Sequence, residues 1–122
     1  MAASGIIVYM RTVPGNPLHR ALTWPLSCQK IDGTWEDIPV DFESDGSSVP
    51  WVFQGFFPRH RHPIAFFRHD WRCRQAKTPE ERLFADKEFK KDVRKTSWWI
   101  TTQAGYIGVR SGAMLGVGVY NY

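Results

Sequence analysis

The sequence predicts an α+β fold in which a small antiparallel β-sheet packs on a three-helix unit. Three observations predict it: the first third alternates apolar and polar residues, the second half has helical spacing, and 43% of the 122 residues are hydrophobic. That composition is sufficient for one compact domain without disulfides or metals. We expect a single domain over residues 1–122, with the sheet in 1–42, an aromatic-rich loop in 43–62 and helices in 63–118.

Strand segments in the N-terminal third are predicted from short apolar runs and from alternation with a period of two. These segments are 6–10, 20–29 and 35–42. In the second of them, Leu22, Trp24 and Leu26 would share one apolar face. Asp32 and Gly33 then form a dipeptide typical of a hairpin turn. The segments therefore predict a small antiparallel sheet.

Helices are predicted after residue 62. Pro63 opens the first helix, which runs to about Gln75. Thr78, Pro79 and Glu81 form a capping box with proline at the first helical position, so a second helix begins there and extends to about residue 96. A third helix, capped by Ser97, contains four glycines that recur on nearly one face.

Charge and cysteine content narrow the class of protein only in part. The net charge of +4 is compatible with several partners, but no known nucleic-acid motif is present, so nucleic acid is not the expected partner. Cys28 and Cys73 are far apart in sequence, and we expect free thiols rather than one bridge. Neither a signal peptide nor a membrane-spanning segment is expected.

A buried acid is the most informative feature of the second predicted helix. Asp86 falls on the same face as the apolar residues Leu83, Phe89 and Val93. A carboxylate on the inward face needs a partner, because burying an unpaired charge costs several kcal/mol. In an antiparallel helical hairpin, His69 lies at nearly the same level as Asp86, and we expect the two to form a hydrogen bond.

Two interpretations of the pair remain open from the sequence. In one, His69 and Asp86 simply hold two helices together. In the other they are catalytic residues: His69 is a general base or metal ligand, and Asp86 orients its imidazole.

The loop over residues 43–62 supplies the candidate binding residues Asp45, Ser48 and Trp51. Asp45 precedes a glycine and is typical of an Asx turn, but with Asp70 it could instead ligate a divalent metal. No other cofactor is expected. Ser48 lies outside any G-x-S-x-G motif, so a serine nucleophile is not predicted.

Three motifs resemble those of a family of small, uncharacterised phage and prophage proteins. They are F-x-x-D-G-x-S-V-P at 42–50, H-D-W at 69–71 and A-D-x-x-F at 85–89. The resemblance covers about residues 38–115 and places Asp45, His69, Asp70 and Asp86 on motif positions. It implies a phage origin and a domain of unknown function. The sequence departs from the family pattern at Ser47, often alanine, and at Arg72 and Cys73, where leucine and tyrosine are usual.

A looser similarity of site geometry links the predicted helical hairpin to secreted phospholipases. Those proteins place a His-Asp pair on one helix and an aspartate on the antiparallel helix, with calcium beside the histidine. The disulfides and glycine-rich calcium loop of that group are absent from this sequence.

Two functions follow from these patterns. The first is a phage-encoded structural or accessory protein, a component of the virion tail or its assembly, with other phage proteins as partners. It would be located in the virion or the host cytoplasm. The second is a His/Asp-dependent, metal-assisted hydrolase that acts on the cell envelope or on phosphate or acyl substrates.

Overall fold

The computed structural model describes residues 7–44 and 63–95, together with positions 103, 106, 107, 109 and 110. Within this part of the chain, five strands precede two helices. The elements are β1 (Met10–Val13), β2 (Asn16–Leu22), β3 (Leu26–Gln29), β4 (Trp35–Ile38), β5 (Glu43–Ser44), α1 (Pro63–Gln75) and α2 (Pro79–Arg94). The α+β class is therefore confirmed.

The strands form two antiparallel sheets instead of the single sheet predicted. One sheet has the order β1-β2-β5, and the other is the β3-β4 hairpin. The predicted strand 20–29 is interrupted after Leu22, because Pro25 lacks the N–H that a continuous ladder needs. Leu22 and Leu26 are buried, but Trp24 between them is 67% exposed, so its placement on the apolar face was wrong.

Glycines close the two hairpins. Gly15, between β1 and β2, has a φ of +80°, and Gly33, between β3 and β4, has a φ of +90°. L-residues with side chains rarely adopt this left-handed region. The hairpin turn predicted at Asp32 and Gly33 is confirmed, and Asp32 Oδ1 accepts a hydrogen bond from the Thr34 amide at 2.9 Å. The first strand lies at Met10–Val13, later than the predicted segment 6–10.

The two helices begin where their sequence signals place them. Thr78 Oγ1 accepts from the Glu81 amide at 3.2 Å, and Glu81 Oε1 accepts from the Lys77 amide at 3.1 Å, so the N-terminus of α2 is capped from both sides. The helix ends at Arg94, about two residues before the predicted end.

The prediction of three helices is not matched, since two helices are bounded in the described part of the chain. Helical backbone is also present at Gln103, Tyr106, Ile107, Val109 and Arg110. The other positions of the predicted third helix lie outside the described residues.

Two hydrophobic clusters lie on either side of α1. The first joins α1 and α2 to Val109 around Phe66 and Phe89, whose ring centroids are 4.9 Å apart. The second joins α1, through Phe67, to the strands. Helix α1 is thus the element shared by both cores.

Both cysteines are buried and free, as expected. No helix among the described residues has the length and apolar character needed to cross a membrane.

We predict that the helical core carries much of the stability. Phe89→Ala removes a fully buried ring and should lower the free energy of unfolding by about 3–5 kcal/mol. Trp24→Ala, at a largely exposed position, should change it by less than about 0.5 kcal/mol. Urea denaturation followed by circular dichroism measures both, and equal losses would contradict the position of the core.

Candidate functional site

The predicted contact between His69 and Asp86 is confirmed. His69 lies on α1 and Asp86 on α2, and only residues 76–78 separate the two helices. His69 Nε2 lies 2.7 Å from Asp86 Oδ1. Because an ionised carboxylate only accepts, Nε2 carries the proton and donates it to Asp86.

Two arginines also donate hydrogen bonds to Asp86. Arg82, one turn earlier on α2, donates from Nε to Oδ1 at 3.1 Å. Arg110 donates from Nη1 to Oδ2 at 2.7 Å. Arg82 also donates from Nη2 to the carbonyl of Val109 at 3.1 Å. We call His69, Arg82, Asp86 and Arg110 the Asp86 cluster; it ties α1, α2 and the helical residues near 110 together.

Burial makes this cluster costly to disturb. Asp86 is fully buried and His69 is 7% exposed. Charged hydrogen bonds in such surroundings are strong, and an unpaired charge there is heavily penalised. The three donors therefore satisfy the buried carboxylate of Asp86 with hydrogen bonds.

The His69 imidazole titrates far from its ordinary range. Burial alone would lower its pKa, but the adjacent Cys73 sulfur and the hydrogen bond and charge of Asp86 outweigh burial and raise the pKa to about 10. At neutral pH His69 is therefore an imidazolium, a donor of hydrogen bonds and not a free base.

Cys73 adds a thiol to the site. Its Sγ lies 3.6 Å from His69 Nε2 and 3.9 Å from Nδ1. A catalytic Cys-His-Asp relay needs the thiol and the carboxylate on opposite ring nitrogens. Here the shorter thiol contact is on Nε2, the nitrogen that already bonds Asp86, so the relay is not assembled.

A metal ion is the other chemistry that these residues could support. Ligand atoms of His69, Cys73 and Asp86 lie within 4.8 Å of one another. However, the Asp86 oxygens already accept from Arg82 and Arg110, and a cation would meet two guanidinium groups there. The set fits an internal ion cluster better than a metal centre.

The remaining candidate residues are only partly described. Asp70, a predicted metal ligand, accepts a hydrogen bond from Ser44 Oγ on β5, and its side chain is 23% exposed. Asp70 Oδ1 lies 3.9 Å from His69 Nδ1. Asp45, Ser48 and Trp51 lie outside the described residues.

Sequence reasoning missed three members of the site, although a signal existed for each. Arg82 precedes Asp86 by four residues and Cys73 follows His69 by four, the spacing of neighbours on one helix face. Arg110 interrupts an apolar stretch, which indicates a need for a buried acid.

We predict that Asp86→Ala is strongly destabilising. It leaves His69, Arg82 and Arg110 without their shared acceptor, and the free energy of unfolding should fall by about 3–5 kcal/mol. Asp37→Ala, which removes an exposed aspartate of β4, is the matched control and should have little effect. Urea denaturation of both variants measures the difference; similar losses would refute a special role for Asp86.

The raised pKa of His69 also predicts a pH dependence. A group whose pKa is higher in the folded than in the unfolded protein contributes its full stabilising free energy below the pKa of the unfolded state, which is about 6.5 for histidine. This contribution is lost as the pH rises toward the pKa of the folded state. Unfolding free energies should therefore decline from about pH 6 to about pH 9 more steeply in the wild type than in His69→Gln. Parallel profiles would show that His69 is not the titrating group.

Comparison with known proteins identifies a domain family of unknown function. A family model described as a protein of unknown function (DUF1353) matches residues 21–109. No match to this chain was found among the curated proteins or among the solved structures. The matched segment contains both helices and the whole hydrogen-bonded pair of His69 and Asp86. The chain therefore belongs to the DUF1353 family.

Proposed function

We propose that this chain is a small phage-encoded structural or accessory protein, a component of the virion tail or of its assembly. The observation that carries the proposal is the Asp86 cluster: among the described residues, His69 and Asp86 are buried and bond to each other, and Asp86 also accepts from Arg82 and Arg110. In this proposal these residues stabilise the fold, and the protein surface makes the functional contacts.

Exposed apolar side chains on the strand-rich half support a role in protein contacts. Trp24 and Trp35 are 67% and 60% exposed, and Leu18 and Ile31 are each more than half exposed. Large aromatic side chains are enriched where proteins bind one another. The resemblance of the three motifs to those of phage and prophage proteins supports the phage origin in this proposal.

The hydrolase interpretation has less support. A general base needs an unprotonated nitrogen within reach of water. His69 is nearly enclosed, its pKa is raised, and its Nε2 proton is directed at Asp86. These features suit a structural imidazolium.

The proposal is tested by deleting the gene from the phage that encodes the chain. We expect either the chain in gradient-purified particles by mass spectrometry or defective tails by electron microscopy of the deletion mutant. Particles that lack the chain, together with normal assembly of the deletion mutant, would overturn the proposal.

Complementation separates the structural function from the catalytic one. His69→Gln keeps a donor near Asp86 but cannot act as a base, so the folded variant should restore assembly as the wild type does. Asp37→Ala is the control for expression and folding. A folded His69→Gln protein that fails to complement would favour the hydrolase.

A further inference from the structure

Each of the two sheets has a strand with a neighbour on one side only. Strand β1 is an edge of the three-stranded sheet, and β4 is an edge of the β3-β4 hairpin. In the described part of the chain, no strand pairs with the outer side of either one. An open edge presents backbone N–H and C=O groups that can form a ladder with a further strand. We call these two sides of the sheets the β1 edge and the β4 edge.

The ladder of the hairpin shows which backbone groups the β4 edge presents. Along an antiparallel strand, successive residues direct their N–H and C=O groups alternately toward and away from the neighbouring strand. The Lys30 amide donates to the Thr34 carbonyl at 2.7 Å, and the register of β3 and β4 continues from that pair without a shift. The groups of Trp35 and Asp37 therefore point away from β3.

The same reasoning applies to the β1 edge. The Thr23 amide donates to the Tyr9 carbonyl at 2.9 Å, and the register with β2 is regular from there to Thr12. The backbone groups of Met10 and Thr12 therefore point away from β2. The outward carbonyl of Thr12 accepts from the exposed Arg11 side chain at 3.2 Å, a bond that the N–H of a partner strand would replace.

The other side of the hairpin is closed by α1. Arg68 Nε donates to the carbonyl of Ser27 at 2.8 Å, and Arg72 Nε donates to that of Gln29 at 3.1 Å. Ser27 and Gln29 are the β3 residues whose backbone groups point away from β4. Covering an edge in this way prevents its pairing with another chain. The hairpin is thus protected along β3, and β4 is its open side.

The two edges carry opposite charges. Arg11 is the charged residue of β1, whereas β4 carries Glu36 and Asp37. Like charges on directly opposed strands are destabilising, and opposite charges are stabilising. Two β1 edges would bring two arginines together, and two β4 edges would bring four acids together. Pairing of β1 with β4 avoids both conflicts. The existing pair of Arg11 with Asp41 is exposed, and such a pair contributes little that a new partner could not replace.

Each edge also exposes an apolar side chain. Met10 of β1 is 36% exposed, and Trp35 of β4 is 60% exposed. Side chains of paired strands contact each other across the ladder, so pairing would remove part of both from water. The Arg68 guanidinium lies 5.9 Å from the centre of the Trp35 ring, which limits the freedom of that ring before any contact forms.

We propose that the β1 edge of one copy of this chain pairs with the β4 edge of a second copy. The partner is the chain itself, and each copy contacts one neighbour through β1 and another through β4. Such a contact is heterologous, and repeating it produces a ring if the rotation closes and a filament if it does not. This inference rests on the backbone edges and their charges, and it does not depend on the function proposed above.

The first test is sedimentation velocity of the folded, full chain over a range of protein concentrations. We expect association beyond a dimer, with a dissociation constant of about 0.5 mM or tighter for each contact, as suits a small interface. Raising the salt concentration from about 0.05 M to about 0.5 M should weaken the association, because exposed charges are screened. The amide NMR signals of Met10, Thr12, Trp35 and Asp37 should shift with protein concentration.

Proline variants distinguish the proposed pairing from the two symmetric ones. Thr12→Pro removes an outward N–H from the β1 edge, and Asp37→Pro removes one from the β4 edge; proline is tolerated at such edge positions. Each variant alone should be monomeric. An equimolar mixture should form a one-to-one dimer and nothing larger, because one intact β1 edge then meets one intact β4 edge. Lys87→Ala, at an exposed position of α2, is the control and should associate as the wild type does.

Charge variants test the same contact without a change to the backbone, and circular dichroism establishes which variants are folded. Arg11→Glu and Asp37→Lys replace exposed side chains, so they keep the fold even if a proline variant does not. Each should weaken the association about fivefold or more, because each places like charges opposite one another.

Four results would overturn the proposal. The first is a wild-type chain that stays monomeric at about 1 mM. The second is undiminished association of folded Thr12→Pro or Asp37→Pro alone, which would show that two identical edges pair. The third is a mixture of the two folded proline variants that remains monomeric. The fourth is unchanged association of both Arg11→Glu and Asp37→Lys.

Discussion

The carboxylate of Asp86 is the constraint on which the rest of the helical unit depends. It is fully buried, and it accepts hydrogen bonds from His69, Arg82 and Arg110, which belong to three different stretches of the chain. An isolated charge at this depth would be prohibitive, so the three donors must be in place whenever the helices are packed. The cluster therefore couples the pairing of α1 and α2 to the position of the residues near 110, and this coupling specifies one arrangement of the helices.

Helix α1 lies between α2 and the strands, and different residues of the helix contact each of them. Phe66 and His69 face α2, whereas Phe67 packs with the strands and Arg68 donates to the Ser27 carbonyl of β3 at 2.8 Å. The helix is consequently buried on both sides, which is unusual for a segment in which five of thirteen residues are arginine, histidine or aspartate. Those residues are accommodated because they lie against carbonyls, carboxylates, rings or, for Asp70, the hydroxyl of Ser44. One result is the Asp86 cluster; another is the group of Arg68, Arg72 and Asp92, in which Arg72 Nη1 lies 4.0 Å from Asp92 Oδ2.

Local signals in the sequence predicted the local features well. The capping box at Thr78 located the start of α2, the Asp32-Gly33 pair located a hairpin, and the inward position of Asp86 predicted its contact with His69. Features that depend on long-range packing could not be obtained in this way. The break after Leu22 divides the strands into two sheets; Pro25 argues locally against a continuous strand but does not indicate which strands pair on either side of it. The exposure of Trp24 follows from that break. The burial of Arg82 is a further such feature: arginine side chains usually face solvent, and this one is almost completely buried by its carboxylate and carbonyl acceptors.

The charge state of His69 tests the account most directly. Nitrogen-15 NMR of the imidazole distinguishes an imidazolium from either neutral tautomer. If His69 stabilises the buried Asp86 carboxylate as an imidazolium, both ring nitrogens should give imidazolium shifts at about pH 7.5, where an unperturbed histidine is mostly neutral. A neutral ring at that pH, titrating near 6.5 as in a model peptide, would contradict the account.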